Sequence, residues 1–167
     1  MLRRWSAPAL GRFLNFWPPF AGAGIRVRAM SRDWRYARVE LRACAVNRGY
    51  FGTHFGGSLF AMTDPFYTLM LTNLLGGNYV VWDQAAEIEY VRPGRGTVQA
   101  EFRVEEAQVA ELRRLAQDGQ PVRPEFLVQV TDQSGAEIAR VRKRMYVRLK
   151  KHLRPVPPAA PDPAPEG

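Results

Sequence analysis

The stretch Gly56-Gly-Ser-Leu-Phe-Ala-Met-Thr-Asp64-Pro-Phe-Tyr-Thr-Leu-Met-Leu-Thr-Asn-Leu-Leu75 decides how this chain folds. From Ser58 to Leu75 the apolar residues Leu59, Phe60, Met62, Phe66, Leu69, Met70, Leu71, Leu74 and Leu75 fall on every side of a helix. A helix apolar all round is buried in a core or spans a membrane. Thr63, Asp64, Pro65, Thr68, Thr72 and Asn73 interrupt this one, which argues against spanning. Gly76-Gly77 ends it as a C-terminal cap does. The stretch is expected to be one long core helix.

Strand patterns surround it. Ile25–Met30 and Tyr36–Val46 alternate apolar and polar residues, the period of a strand with one buried face. Four more strand-like stretches follow the helix: Tyr79–Val91, Thr97–Glu106, Glu125–Thr131 and Glu137–Leu149. Arg92-Pro-Gly-Arg-Gly96 and Asp132-Gln-Ser-Gly135 are turn sequences, and Ala107–Gln117 reads as a polar outer helix. The expected architecture is α+β, an antiparallel sheet of five to six strands wrapped around one central helix. Residues 1–24 form an N-terminal helix and connector, 25–152 the main domain, and 153–167 a disordered Pro/Ala-rich tail. Trp5–Phe16 is the amphipathic helix of the first segment, ended by Trp17-Pro18-Pro19. It either packs on the domain or serves in targeting or membrane-surface contact.

The chain has 167 residues and a formal net charge of +8, which suggests an acidic partner. Position changes that reading. Residues 1–50 carry ten basic and two acidic groups, 51–138 carry six and twelve, and 139–154 carry eight and none. Two basic flanks enclose an acidic middle, unlike a uniformly basic nucleic-acid binder. One cysteine and two histidines exclude an intrachain disulfide and make no metal site expected.

Two glycines at the start of a buried helix let a ligand approach the first helical N–H groups, which have no partner inside the helix. A carbonyl oxygen placed there has its developing negative charge stabilised; anchoring the helix against the sheet is the other use of Gly56-Gly57. Asp64 stands in an apolar helix, where a carboxylate is costly unless paired or protonated. It is a candidate general base or nucleophile. As Asp64-Pro65 it also fits an N-cap that opens a second helical segment.

These residues resemble a known family. Phe-Gly-Gly-Ser-Leu-Phe-Ala-Met-Thr-Asp64 is similar to the His-Gly-Gly…Asp segment of hotdog-fold acyl-CoA thioesterases of the phenylacetate-pathway type. Gly52-Thr-His-Phe-Gly-Gly57, Val81-Trp-Asp-Gln-Ala-Ala86 and Arg92-Pro-Gly-Arg-Gly-Thr97 resemble an uncharacterised hotdog family of tetrameric acyl-CoA thioesterases. The likeness spans roughly residues 10–150. It implies homodimers with sheets side by side, paired into homotetramers, and active sites at the dimer interface. On this likeness Gly56 supplies the oxyanion-binding N–H, Gly57 supports the turn, and Asp64 activates water or attacks the carbonyl. Thr68 orients the water or the acid, and Asn47 matches the upstream residue that positions the carbonyl. Phe55 stands where the pattern has histidine, so His54 is a displaced candidate whose alternative is a hydrogen bond to backbone. Phe55, Phe60, Tyr67 and Trp82 are candidates for the acyl slot, with core packing the alternative. Arg92 and Arg95 are candidates for the coenzyme A phosphates; the run Arg140–Arg148 is also basic but reads largely as a solvated strand face.

The expected function is hydrolysis of an acyl thioester in the cytoplasm by a homo-oligomer, with no cofactor beyond the coenzyme A of the substrate, no nucleic acid and no transmembrane segment. A non-catalytic acyl-CoA-binding module and a hotdog dehydratase are the alternatives. The first would bind ligand without thiol release, and the second would need His54 and Asp64 to converge on one carbon.

Overall fold

The structure is a computed structural model that describes residues 5–45 and 47–155. The chain enters through two helices, α1 (Ala7–Leu14) and α2 (Pro18–Ala23). α1 ends at Leu14 with Asn15 as its C-cap, ahead of Pro18-Pro19, which open the second helix because proline fits the first helical turn, whose N–H groups need no partner. Trp5–Phe16 as one helix is therefore too long at both ends, and the second helix is an addition. Gly24, at φ 77°, closes α2 in the left-handed region. The Asn15 side chain accepts from the Val27 N–H (2.7 Å) and donates to the Val27 carbonyl (3.2 Å), tying the entry segment to the sheet.

Six strands lie at the expected places: β1 (Ile25–Met30), β2 (Tyr36–Arg42), β3 (Tyr79–Tyr90), β4 (Thr97–Arg103), β5 (Glu125–Asp132) and β6 (Glu137–Leu149). β2 stops at Arg42, short of the expected end at Val46, which lies outside the described residues, and β4 stops at Arg103, short of Glu106. All pairs are antiparallel, in the order β1-β2-β4-β5-β6-β3. Among the described residues the twelve-residue β3 is thus an edge strand, paired only with β6. An irregularity in that pairing lies between Asp83, opposite Met145, and Ala85, opposite Arg144, so Gln84 is the extra residue of a bulge.

The central helix is two pieces rather than one. α3 (Gly56–Ala61) and α4 (Phe66–Leu75) are separated by Met62–Pro65, with a cis peptide at Asp64-Pro65. Proline lacks the N–H that a continuous helix would use, which accounts for the break. The Asp64 side chain does not cap α4, so of the two halves of the capping alternative only the break is present. α4 carries the core: the Phe66 ring lies 4.8 Å from Phe102 of β4 and 6.0 Å from Phe20 of α2. Helix α5 (Glu106–Leu115) buries only Val109 and Leu112, as an outer helix does. No helix among the described residues is long and apolar enough to cross a membrane. Residues 156–167 of the expected tail lie outside the described residues.

Candidate active site

The predicted residues fall into two groups at opposite ends of α3. At its start, the N–H groups of Ser58 and Leu59 both donate to the Phe55 carbonyl, while those of Gly56 and Gly57 have no protein partner among the described residues. The missing side chains matter. A Cβ on Gly56 would stand 2.9 Å from the Tyr90 hydroxyl, and one on Gly57 would meet the Phe55 ring at 2.4 Å. Gly56 lines a cavity of about 390 Å³ together with Thr53, His54, Leu59, Tyr90 and Arg92.

His54 is buried in its wall, and its ring Nε2 donates to the Gly96 carbonyl at 3.0 Å. The acceptor is a carbonyl, so the proton sits on Nε2 and Nδ1 is a bare acceptor, itself buried without a partner among the described residues. Burial holds the imidazole below its ordinary pKa, and the nearby Arg48 charge acts in the same direction; the Gly96 hydrogen bond opposes both more weakly than burial favours them. The residue is a neutral wall of the loop. This is the backbone-bonded alternative for His54.

Asn47 is spent on architecture. Its side chain accepts from the Cys44 N–H (2.8 Å) and donates to the carbonyls of Ala23 (2.9 Å) and Arg42 (2.6 Å). All of its capacity except one acceptor lone pair is used between the entry segment and β2.

At the other end of α3, Asp64 is exposed, its side chain 57% accessible, and its Oδ1 accepts from the Lys143 ammonium at 2.9 Å. Lys143 itself is 1% exposed. The same nitrogen lies 3.1 Å from Asp83 Oδ1, close enough for an ion pair but too poorly aligned for a hydrogen bond. The other oxygen of Asp83 accepts from the Thr68 hydroxyl at 2.8 Å. Asp64, Thr68, Asp83 and Lys143 thus form one polar cluster from four segments.

Sequence reading missed Lys143 and Asp83. Lys143 has the same parity as Val141, Met145 and Val147, which are fully buried, so it belongs to the inward face of β6 rather than to the solvated basic face. That signal was available and was masked by four neighbouring arginines.

The aromatic candidates for the acyl slot do not share a cavity. Tyr67 is core, stacked 4.4 Å from Phe126, and burial pushes its phenol up to about 12. Trp82 stacks on Tyr146 at 3.9 Å, on the side of the sheet opposite Asp83. Phe60 is half-buried against the core, Phe55 is exposed over Gly57, and Arg92 and Arg95 are both exposed near the cavity mouth or the adjoining loop. Among the described residues no cluster of His, Cys, Asp and Glu is suited to a metal ion.

The DUF4442 profile, a domain of unknown function, matches residues 9–147. The chain belongs to that family. No curated protein matches this DUF4442 chain. Among solved structures it is similar to a Pseudomonas aeruginosa protein described as a probable thioesterase, at 18% identity over 77% of this chain and 85% of that one, with a TM-score of 0.67. It is also similar to a Haemophilus influenzae thioesterase, at 14% identity over 90% and 96% with a TM-score of 0.63. The PaaI protein of the Escherichia coli phenylacetic acid degradation operon matches at 19% identity over 78% and 83%, with a TM-score of 0.55. Their shared architecture gives this DUF4442 chain the hotdog fold expected from its sequence.

Proposed function

We propose that this DUF4442 protein hydrolyses an acyl thioester, of coenzyme A by preference, at a site assembled from two chains. The observation that carries the reading is Asp64, an exposed carboxylate fixed at one oxygen, on the fold shared with thioesterase-labelled structures. In this reading its second oxygen takes a proton from water. The water oxygen attacks the thioester carbonyl carbon, the carbonyl electron pair moves to oxygen, and the Gly56 N–H donates to that oxyanion. Collapse restores the carbonyl and expels the coenzyme A thiolate, which leaves with a proton. Attack by Asp64 itself, followed by hydrolysis of the anhydride, uses the same two groups.

Geometry argues for two chains. Gly56 and Asp64 flank a six-residue helix, about 9 Å long, whereas a carbonyl that Asp64 attacks directly must sit about 3 Å from both its donor and that carboxylate. β3 supplies a way to join them. Tyr90, against Gly56, and Asp83, beside Asp64, lie about 23 Å apart along this edge strand. Pairing β3 with a second copy about a two-fold axis near Ala86–Glu87 brings the Asp83 end of each copy to the Tyr90 end of the other.

The exposed Arg92 and Arg95 suit the phosphates of coenzyme A at the rim of such a site. The dehydratase alternative is disfavoured because one nitrogen of His54 is hydrogen-bonded to Gly96 and the other is buried. The deciding experiment is a panel of acyl-CoA substrates followed with a thiol reagent. Asp64→Asn is expected to lower kcat about 10²–10⁴-fold while calorimetry still shows acyl-CoA binding. Undiminished hydrolysis by that variant refutes the mechanism, and binding without thiol release in the unaltered protein identifies a binding module instead.

A further inference from the structure

Lys143 rises from the inward face of β6, between fully buried Val141 and Met145, and is itself 1% exposed. An ammonium in such a place is expensive unless anions meet it. Two do, Asp64 at 2.9 Å and Asp83 at 3.1 Å. The carboxylates are not equivalent. Asp83 is the more enclosed, its side chain 25% accessible, and is oriented by the Thr68 hydroxyl. Asp64 is 57% accessible, and Lys143 is its only side-chain partner among the described residues. It stands in the short break between α3 and α4, where no helix geometry fixes its side chain.

We propose that Lys143 is the positioning residue of the candidate site, with Asp83 and Thr68 as the brace that holds Lys143. The ammonium claims Oδ1 of Asp64 and so fixes the carboxylate plane, leaving Oδ2 directed to water. Asp83 keeps the buried ammonium from being satisfied by Asp64 alone, and Thr68 keeps Asp83 from turning away. Lys143 touches no substrate, being enclosed; it acts through Asp64. Thr68 accordingly works on the brace and not directly on water. This inference rests on the proposed hydrolase reading, and its test separates the two.

Hydrolysis of the acyl-CoA panel is measured for the full chain and for Asp64→Asn, Lys143→Met, Lys143→Arg and the double variant Lys143→Met/Asp83→Asn. The double variant removes the buried cation together with its enclosed anion, so it takes the place of Lys143→Met if that single variant fails to fold. Loss of a fixed attack geometry is on the order of 10²-fold in kcat, with KM within about threefold. Lys143→Met, or the double variant in its place, is expected to show that split, and Lys143→Arg to recover at least about tenfold of it by restoring the cation. Adding Lys143→Met to Asp64→Asn is expected to cost nothing further, because residues that act as one unit are not additive. Asp64→Asn inactive with Lys143→Met or the folded double variant at full kcat overturns this inference alone. So does a loss confined to KM, or one that adds fully to Asp64→Asn. Asp64→Asn at full activity, or no turnover by the unaltered protein, overturns both readings.

Discussion

At the scale of single residues, two histidine-loop positions show how a one-residue offset changes chemistry. Phe55 occupies the place where the thioesterase pattern has histidine and turns its ring over Gly57. His54 faces the interior instead and donates to Gly96. A neutral buried imidazole has a measurable consequence. In the unfolded chain it takes a proton near pH 6.5, whereas in the folded chain burial delays that protonation. The unfolded state therefore binds more protons as pH falls, and stability is lost from about pH 6.5 downward. The urea midpoint of the protein should drop between pH 7.5 and 5.5, and the drop should be smaller for His54→Gln; an equal drop in both contradicts the assignment. The neighbouring Asn47 shows the limit of analogy by residue type. Its identity fits a carbonyl-positioning role, yet its amide is consumed by Ala23, Arg42 and Cys44.

At the scale of elements, strands were legible and breaks were not. β6 begins and ends where alternation predicts, Glu137–Leu149, because inward and outward residues differ in polarity along its whole length. The central helix read as continuous because its apolar residues continue across Thr63-Asp64-Pro65, and composition does not reveal which side of a proline is helical. The same ambiguity hid α2, whose two prolines read as a stop and serve as a start. Lys143 was legible by parity, but Asp83 was not: the bulge that places it opposite Met145 has no signature in Trp82-Asp-Gln-Ala85. Of the two helical pieces, α4 bears the packing, with Phe66 fully buried between Phe20 and Phe102. Phe66→Ala should cost about 3–5 kcal/mol, read as a lowered urea midpoint at constant slope.

At the scale of the whole molecule, the proposed site shared between two chains makes a prediction that no single-chain enzyme shares. Gly56→Pro removes the N–H proposed to hold the oxyanion, at the first position of α3, where proline is tolerated and where Phe55 already has the extended backbone that precedes proline. Gly56→Pro and Asp64→Asn should each be inactive alone. Unfolded and refolded together in equal amounts, they are expected to form mixed dimers in which one site carries both lesions and the other carries neither, returning about a quarter of full activity. No recovery would place both groups in one chain.

The extra residue in β3 gives that strand its two uses. Tyr90 stands seven positions after Asp83, an odd step, so in an unbroken pleat one of them would face away from the helices. Gln84 adds the single step that returns both to the same side. Deleting it would leave the strand long enough to pair along β6 and still turn either the acidic end or the aromatic end outward. The strand thus keeps count for both ends of the proposed site, and an insertion or deletion between them is expected to change function before it changes fold.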